Sequence, residues 1–320
     1  MRICPAATTY STKTHDEVLL QWAEVRHEAG PLVLDLSRIQ FVDPYGMVSL
    51  VLFLNHLPPE ALPVDLRFMG WPSEGGIAET DSAKTPPGPV SYLTRMGFWD
   101  TIYEKLDART EQIPLRPARL VDRNVLLDIT QFKEHDTISA MLQQTGEILQ
   151  NLGYTVPARG HVLEVLSELC SNVILHAQTE FGGVAAMQTY RGRAGTRYIV
   201  MGIGDAGIGV RRSLAANLAL ADRLETDAQA LGVAAQPGAS RFAMGGHGGG
   251  LPRVMEIARR YAGRVAFRSG TGALAYNGEQ EERRIFDTSS IGGTQLRISL
   301  PEARLRGETQ ADLLAASSEE

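Results

Sequence analysis

Three polar residues of different chemistry recur at four-residue intervals in the stretch Glu168-Leu-Cys-Ser-Asn172-Val-Ile-Leu-His176. A carboxylate, an amide and an imidazole that share a site are the groups that move protons and ligate cations. Four residues of α-helix turn through about 400°, so each step lands roughly 40° from the last and the three side chains form one stripe. Around them Val162, Leu163, Val165, Leu166, Leu169, Val173 and Ile174 make the helix largely apolar, as expected where most of it is buried. Polar groups on such a helix need partners, so the stripe alone reads equally as an internal hydrogen-bond network.

Two glycine-rich stretches follow it. Gly202-Ile-Gly204-Asp205-Ala-Gly207 contains G-x-G-x-x-G after a strand-like run. A dinucleotide fold needs a second strand ending in an acidic residue about 20 positions later. That window here, Ala215 to Asp227, reads "AANLALADRLETD" and has helical spacing. Asp205-Ala-Gly207-Ile-Gly209 instead suits a base-reading turn. A carboxylate only accepts, so it takes a hydrogen bond from the exocyclic amine of adenine and repels the carbonyl that guanine presents there. The glycines let backbone approach the ring. A plain strand-to-helix turn would look the same.

Further on, Gly245-Gly246-His247-Gly248-Gly249-Gly250-Leu251 runs into Pro252 and a helix through Tyr261. Free N–H groups at such a loop and helix start attract phosphate. No Lys-Ser or Lys-Thr follows the glycines, so this is not a Walker A loop. A hinge is the other reading, and it leaves Pro252 and the helix behind it unexplained.

Taken together, the three boxes resemble the GHKL (Bergerat-fold) ATPase superfamily over about residues 120–302. Glu168 to His176 matches its N box, Asp205 to Gly209 its adenine box, and Gly246-x-Gly248-x-Gly250-Leu251 its lid glycine box. Gly293-Thr294 matches its late Gly-Thr. "SELCSNVILHA" is closest in form to the anti-sigma-factor serine kinases. The resemblance implies ATP and Mg2+ as cofactors, with Asn172 on the metal and Asp205 on adenine. It implies that Gly207 and Gly209 shape the pocket and that Thr294 supports the adenine end. Gly246, His247, Gly248, Gly249, Gly250 and Leu251 fall in the phosphate loop, and Glu168 becomes the general base toward water or a protein hydroxyl. His176 becomes an edge of the site. A lid is implied over about 210–250, with Arg211, Arg212 and Arg241 as its basic residues. The readings left open are a protein serine/threonine kinase or slow ATPase, a non-catalytic ATP-dependent interaction module, and an ATP-gated dimer clamp.

The elements that must position these residues are α/β in pattern. In the first third, helical spacing over Thr14–Glu28 precedes a strand at Leu32–Leu36. Asp43 and Pro44 then supply an N-cap and first-turn proline for a helix, and Val64–Phe68 is a further strand. "LVLDLSRIQFVDPYGMVSL" and "YLTRMGFWDTI" resemble a STAS domain, with Pro44 and Tyr45 where that family carries its phospho-accepting serine. The expected layout is a STAS-like domain over 1–110, a linker at 111–119, an ATP-binding domain with a mixed sheet over 120–302, and a polar tail over 303–320. A loop rich in Pro and Gly is expected over 71–90. Strands are expected at Gly183–Tyr190, Thr196–Gly202, Arg264–Ser269, Arg283–Asp287 and Gly293–Leu300. The lid's first part is expected to be helical, and "GVAAQPGASRFAMGG" mobile.

Bulk composition sets limits on the rest. The chain has 320 residues, 43% hydrophobic and 21% charged, enough for two cores. Its formal net charge of -6 gives no indication of nucleic-acid binding. Cys4 and Cys170 fit no metal or redox spacing, which with the absence of a signal-like or membrane-spanning run implies a cytoplasmic protein. A regulatory protein partner is expected, no membrane, and a homodimer is left open.

Overall fold

The computed structural model describes residues 1–28, 30–68, 88–106, 124–192, 195–241 and 249–307. The proposed linker at 111–119, most of the 71–90 loop, and Gly246, His247 and Gly248 lie outside the described residues. The chain divides into two compact units, Met1–Asp122 and Arg123–Glu320.

In the first unit, β1 (Arg2–Ile3), β3 (Val33–Leu36) and β5 (Asp65–Phe68) form a parallel sheet in the order β1-β3-β5. A second parallel pair joins β2 (Thr9–Tyr10) to β4 (Phe41–Val42). Helices α1 (Thr12–Val25), α2 (Pro44–Asn55), α3 (Pro89–Arg95) and α4 (Phe98–Ile102) complete it. The start of α2 is fixed as its sequence dictates. The Asp43 carboxylate accepts the Gly46 N–H at 2.7 Å, and Pro44 occupies the first turn, where no N–H is needed. All residues of α2 from Pro44 to Leu54 are buried, which explains a helix apolar on every side. Gly46 is required because a Cβ there would run into the Tyr10 carbonyl.

The second unit is built on one sheet in the order β6-β7-β8-β10-β9. The strands are β6 (Val125–Phe132), β7 (Gly183–Arg191), β8 (Arg197–Asp205), β9 (Arg264–Asn277) and β10 (Glu282–Pro301). Every pairing is antiparallel, so parallel and antiparallel ladders are segregated between the units rather than mixed within this sheet as expected. The reason is connectivity: β7–β8 and β9–β10 are joined by short turns, which can only link antiparallel neighbours. The architecture is α+β. Helices α5 (His135–Asn151), α6 (Val156–His176) and α9 (Gly250–Arg260) share a hydrophobic core with the sheet.

Helix α6 is capped by Thr155, whose hydroxyl accepts the Ala158 N–H at 3.3 Å, and Pro157 lies in its first turn. Its buried face is Ala158, Val162, Val165, Leu166, Leu169, Cys170 and Val173, a spacing of threes and fours. Burying each valine or leucine there contributes roughly 1.5–3 kcal/mol. The polar stripe turns out of this core: Glu168 is exposed, and Asn172 and His176 are half-buried.

Three expectations are corrected. The separate strands expected at Arg283–Asp287 and Gly293–Leu300 belong to one element, β10, interrupted by register shifts near Ile291. The described part of the lid region, 210–241, holds α7 (Gly209–Leu214), a 3-10 turn (Leu218–Arg223) and α8 (Asp227–Ala234), so its first part is helical as expected. Within that part the Asn217 side chain accepts the Ala219 N–H and starts the 3-10 turn. Helix α8 runs on through Gly232, Val233 and Ala234, the first residues of the stretch expected to be mobile; Thr226 and Gln229 form a reciprocal capping box at its start, and Ala230, Leu231 and Val233 are buried. Finally, 303–306 are not tail but part of α10 (Glu302–Arg306). There Leu305 is fully buried, and buried Glu302 accepts from Arg197 at 2.6 Å and Arg306 at 2.8 Å.

Strand β9 has a fold of its own. Fourteen extended residues would span about 46 Å at roughly 3.3 Å each, yet Gly278 N–H donates to Gly263 O at 2.7 Å. Strand β9 therefore doubles back, near Gly270, whose φ of +58° suits a tight reversal. Its first half, Arg264–Ser269, pairs with Thr294–Ser299, and its second half, Gly272–Asn277, pairs with Glu282–Asp287. This leaves Glu282–Asp287 as the outer strand of that end of the sheet.

Candidate functional site

Asp205 is the last residue of β8. Its neighbours across the ladder are Gly183, the first residue of β7, and Thr294, where the ladder between β10 and β8 begins. Gly202 and Gly204 lie inside β8, paired on both sides. They are strand residues and not a dinucleotide loop, in agreement with the sequence reading.

The Asp205 side chain is 4% exposed, and its Oδ1 accepts the Gly207 N–H at 2.7 Å. Burial raises its carboxyl to about 6, while hydrogen bonds from the Gly207 and Thr294 N–H groups pull it back down. Each glycine beside it has a steric reason. A Cβ on Gly207 would overlap the Ala177 carbonyl, and that carbonyl also accepts the Ile208 N–H at 2.8 Å, so the turn is docked on the end of α6. Gly209 has φ +75°, and a Cβ there would lie 2.8 Å from Ser269 Oγ. Gly293 has φ +68° and would collide with the Asp205 backbone. Ser269, which sequence reasoning did not single out, ties these parts together. Its buried hydroxyl accepts the Val210 N–H at 2.8 Å and donates to Gly293 O at 2.9 Å. No spacing or motif in the sequence marks it.

A cavity of about 140 Å³ opens beside Asp205. Asn172 and His176 from α6, Asp205 and Gly209 from the turn, Gly250 and Leu251 from α9, and Thr294 from β10 all line it. Leu169, Val173, Ile203, Phe267 and Leu296 give it apolar walls, while Ser213, Ala234, Ser240 and Arg241 come from the lid region. Arg241 also donates to the Leu175 carbonyl at 3.3 Å, joining the lid region to the end of α6. Gly207 and Gly249 do not line the cavity: Gly207 lies against α6, and Gly249 is an exposed residue at the start of α9.

Glu168 is near the cavity without lining it. A Cβ at Gly250 would sit 2.7 Å from Asn172 Nδ2 and 3.1 Å from Glu168 Oε2, so the first residue of α9 lies directly against both polar groups. Arg253 fixes that approach through a two-pronged bond to Glu164 on α6, at 2.6 and 2.9 Å. The same bond holds the Glu164 carboxyl below its ordinary range. The glycine at position 250 leaves room beside the amide and carboxylate, and the first N–H groups of α9, which have no partner within the helix, begin there. Chemically, the arrangement offers a buried acceptor at one end of an apolar slot. At the other end stand an amide, a carboxylate and a helix N-terminus.

No protein-family model matches the chain, and no curated protein matches it in sequence. Among solved structures it is similar to the histidine kinase domain from Erythrobacter litoralis EL346 blue-light activated histidine kinase. That match covers 69% of this chain and 91% of the other, at 10% identity and a TM-score of 0.25. Among the described residues no helix is long and apolar enough to cross a membrane.

Proposed function

We propose that the second unit binds Mg-ATP in the manner of GHKL proteins and that the chain is a regulatory switch. In this reading it acts as a protein serine/threonine kinase or slow ATPase, in the cytoplasm, through a protein partner. One observation carries this reading: Asn172, Asp205, Gly250 and Thr294, from four separate elements, line one cavity.

The donor set fits the group it would hold. The buried Asp205 carboxylate is an acceptor already oriented by the Gly207 N–H, and it matches an exocyclic amine; the apolar walls match a flat heterocycle. Asn172 stands where the free N–H groups of α9 begin, which suits phosphate. Among the described residues no group of three or more His, Cys, Asp or Glu is placed to hold a metal. Mg2+ at Asn172 would therefore draw its remaining ligands from phosphate and water, as that ion commonly does. Bound Mg-ATP would supply a transferable phosphoryl group. The chain's own part is to hold the base at Asp205, to fix the metal end at Asn172, and to accept a proton at Glu168 from water or a protein hydroxyl. Gly246, His247 and Gly248 would complete the phosphate loop.

A second reading, ATP-dependent partner binding without turnover, is favoured by one observation: Glu168 is exposed and stands outside the cavity wall. In either case we read the first unit as STAS-like, a module for meeting the partner. Incubation of the purified chain with γ-labelled ATP, alone and with cell lysate, separates the two. Released phosphate or a labelled protein supports the kinase or ATPase reading. Nucleotide that is bound and recovered intact supports the second. No binding at all removes both.

A further inference from the structure

The outer strand Glu282–Asp287 is an open edge. Its inner side pairs with Gly272–Asn277, while the ladder from β10 to β8 begins only at Thr294. Among the described residues no strand pairs with its outer side. All six residues are exposed, among them Ile285 at 37% and Phe286 at 49%. An edge carrying two large apolar side chains is what folded proteins ordinarily blunt or cover. Elsewhere the same hairpin is protected: Asp227 at the start of α8 accepts the N–H and hydroxyl of Thr271 at the reversal of β9.

From this edge we propose that the chain self-associates, two copies pairing antiparallel along Glu282–Asp287 about a two-fold axis through Ile285. The register follows from geometry. In an antiparallel ladder, directly opposite residues face the partner in the same sense, so a two-fold axis passes through a residue and not between two. An axis at Arg283 or Arg284 sets an arginine against its own copy. An axis at Phe286 leaves Asp287 opposite Ile285. An axis at Ile285 sets Arg283 opposite Asp287 twice, places Arg284 opposite Phe286 twice, and stacks Ile285 on its copy. Only this register pairs every charge from Arg283 to Asp287 with an opposite charge or a ring, and cross-strand pairs of those kinds are favourable.

The Ile285 side chain rests against Gly232 of α8, whose Cβ position would be 3.3 Å from Ile285 Cδ1. The face bearing Arg283, Ile285 and Asp287 is therefore the α8 face, and α8 of both copies lies on the same side of the joined sheet. Six residues bury less surface than a permanent dimer uses, so the association is weak and concentration-dependent. This inference does not rest on the nucleotide reading.

The test is sedimentation velocity of the full chain across a concentration series. Arg283→Asp and Asp287→Arg, each alone, put like charges opposite one another twice and should raise the dissociation constant at least tenfold. The exchange of both in one chain should restore it to within a few-fold of wild type. Both positions are exposed strand residues, and circular dichroism checks that each variant is folded. A wild-type chain that stays monomeric at every concentration overturns the proposal. So does a dimer unaffected by the single reversals, or a double exchange no better than either single. Association only with a second, different protein in the sample is also a negative result.

Discussion

Replacing Asp205 with asparagine gives a prediction whose sign and size follow from burial. The carboxyl is raised from 3.8 to about 6 in the folded chain, with desolvation as the main cause. A raised acid binds its proton more tightly when folded, so it opposes folding once it is ionised. Between the unfolded and folded values, stability falls as pH rises. The full cost is about 2.2 units at 1.36 kcal/mol each, or about 3 kcal/mol, and about 2 kcal/mol of it accrues between pH 4.5 and pH 7.5. Asparagine carries no such charge. Hydrogen-bond losses in the variant shift its stability by an amount that does not depend on pH, so they drop out of the comparison. The assay is urea unfolding of ligand-free wild type and Asp205→Asn at both pH values. The unfolding free energy of the variant should gain about 2 kcal/mol on wild type from the lower pH to the higher. A difference that stays flat within error, or that moves the other way, refutes the claim that Asp205 is held ionised against its burial.

Further outcomes follow from the same contacts. Glu302 is buried, and its bonds to Arg306 and Arg197 outweigh burial, holding its carboxyl below 4.5. Its contribution is present above that value and is lost as pH falls, the opposite sign to Asp205. Glu302→Ala should cost about 1–3 kcal/mol at pH 7 in chemical unfolding, with the two half-exposed arginines limiting the loss. Gly207→Ala meets the Ala177 carbonyl and must move backbone, so it should destabilise by about 1–3 kcal/mol by thermal unfolding. Gly250→Ala meets only side-chain ends, Asn172 Nδ2 at 2.7 Å and Glu168 Oε2 at 3.1 Å; its melting temperature should hold while Mg-dependent nucleotide affinity measured by calorimetry falls. Glu168→Gln, an exposed change, should leave the fold and nucleotide affinity intact. If Glu168 is the base, single-turnover release of phosphate should slow by about 10²–10⁴-fold.

What the sequence disclosed and what it hid divide along physical lines. Local signals were legible. Asp43-Pro44 marked a helix start, and the capping contact is present at 2.7 Å. The interval from Glu168 to His176 placed its residues on one face of α6, and the aspartate in the glycine run is the end of a strand beside a cavity. What stayed hidden depends on partners distant in sequence. The reversal of β9 has no strong turn signature beyond Ser269-Gly270-Thr271-Gly272. It is dictated by the meeting of Gly263 with Gly278. Ser269 became part of the site only because that reversal brings it to Val210 and Gly293. The extent of α8 was misjudged: the stretch from Gly232 reads as loop, yet the helix runs on to Ala234 and Val233 is buried. The exposure of Glu168 was also not foreseen, since the apolar neighbours of the stripe describe the helix and not the angle at which it sits on the sheet.

The central claim is that the cavity between Asn172 and Asp205 holds Mg-ATP. Titration calorimetry of the purified chain with ATP and with GTP, each with and without Mg2+, tests it directly. Asp205→Asn and Asn172→Asp are run in parallel, with their folding checked by circular dichroism. The account predicts Mg-dependent binding of ATP in preference to GTP by wild type, and its loss in both folded variants. Wild type that binds neither nucleotide, or ATP binding that survives in both variants, contradicts it.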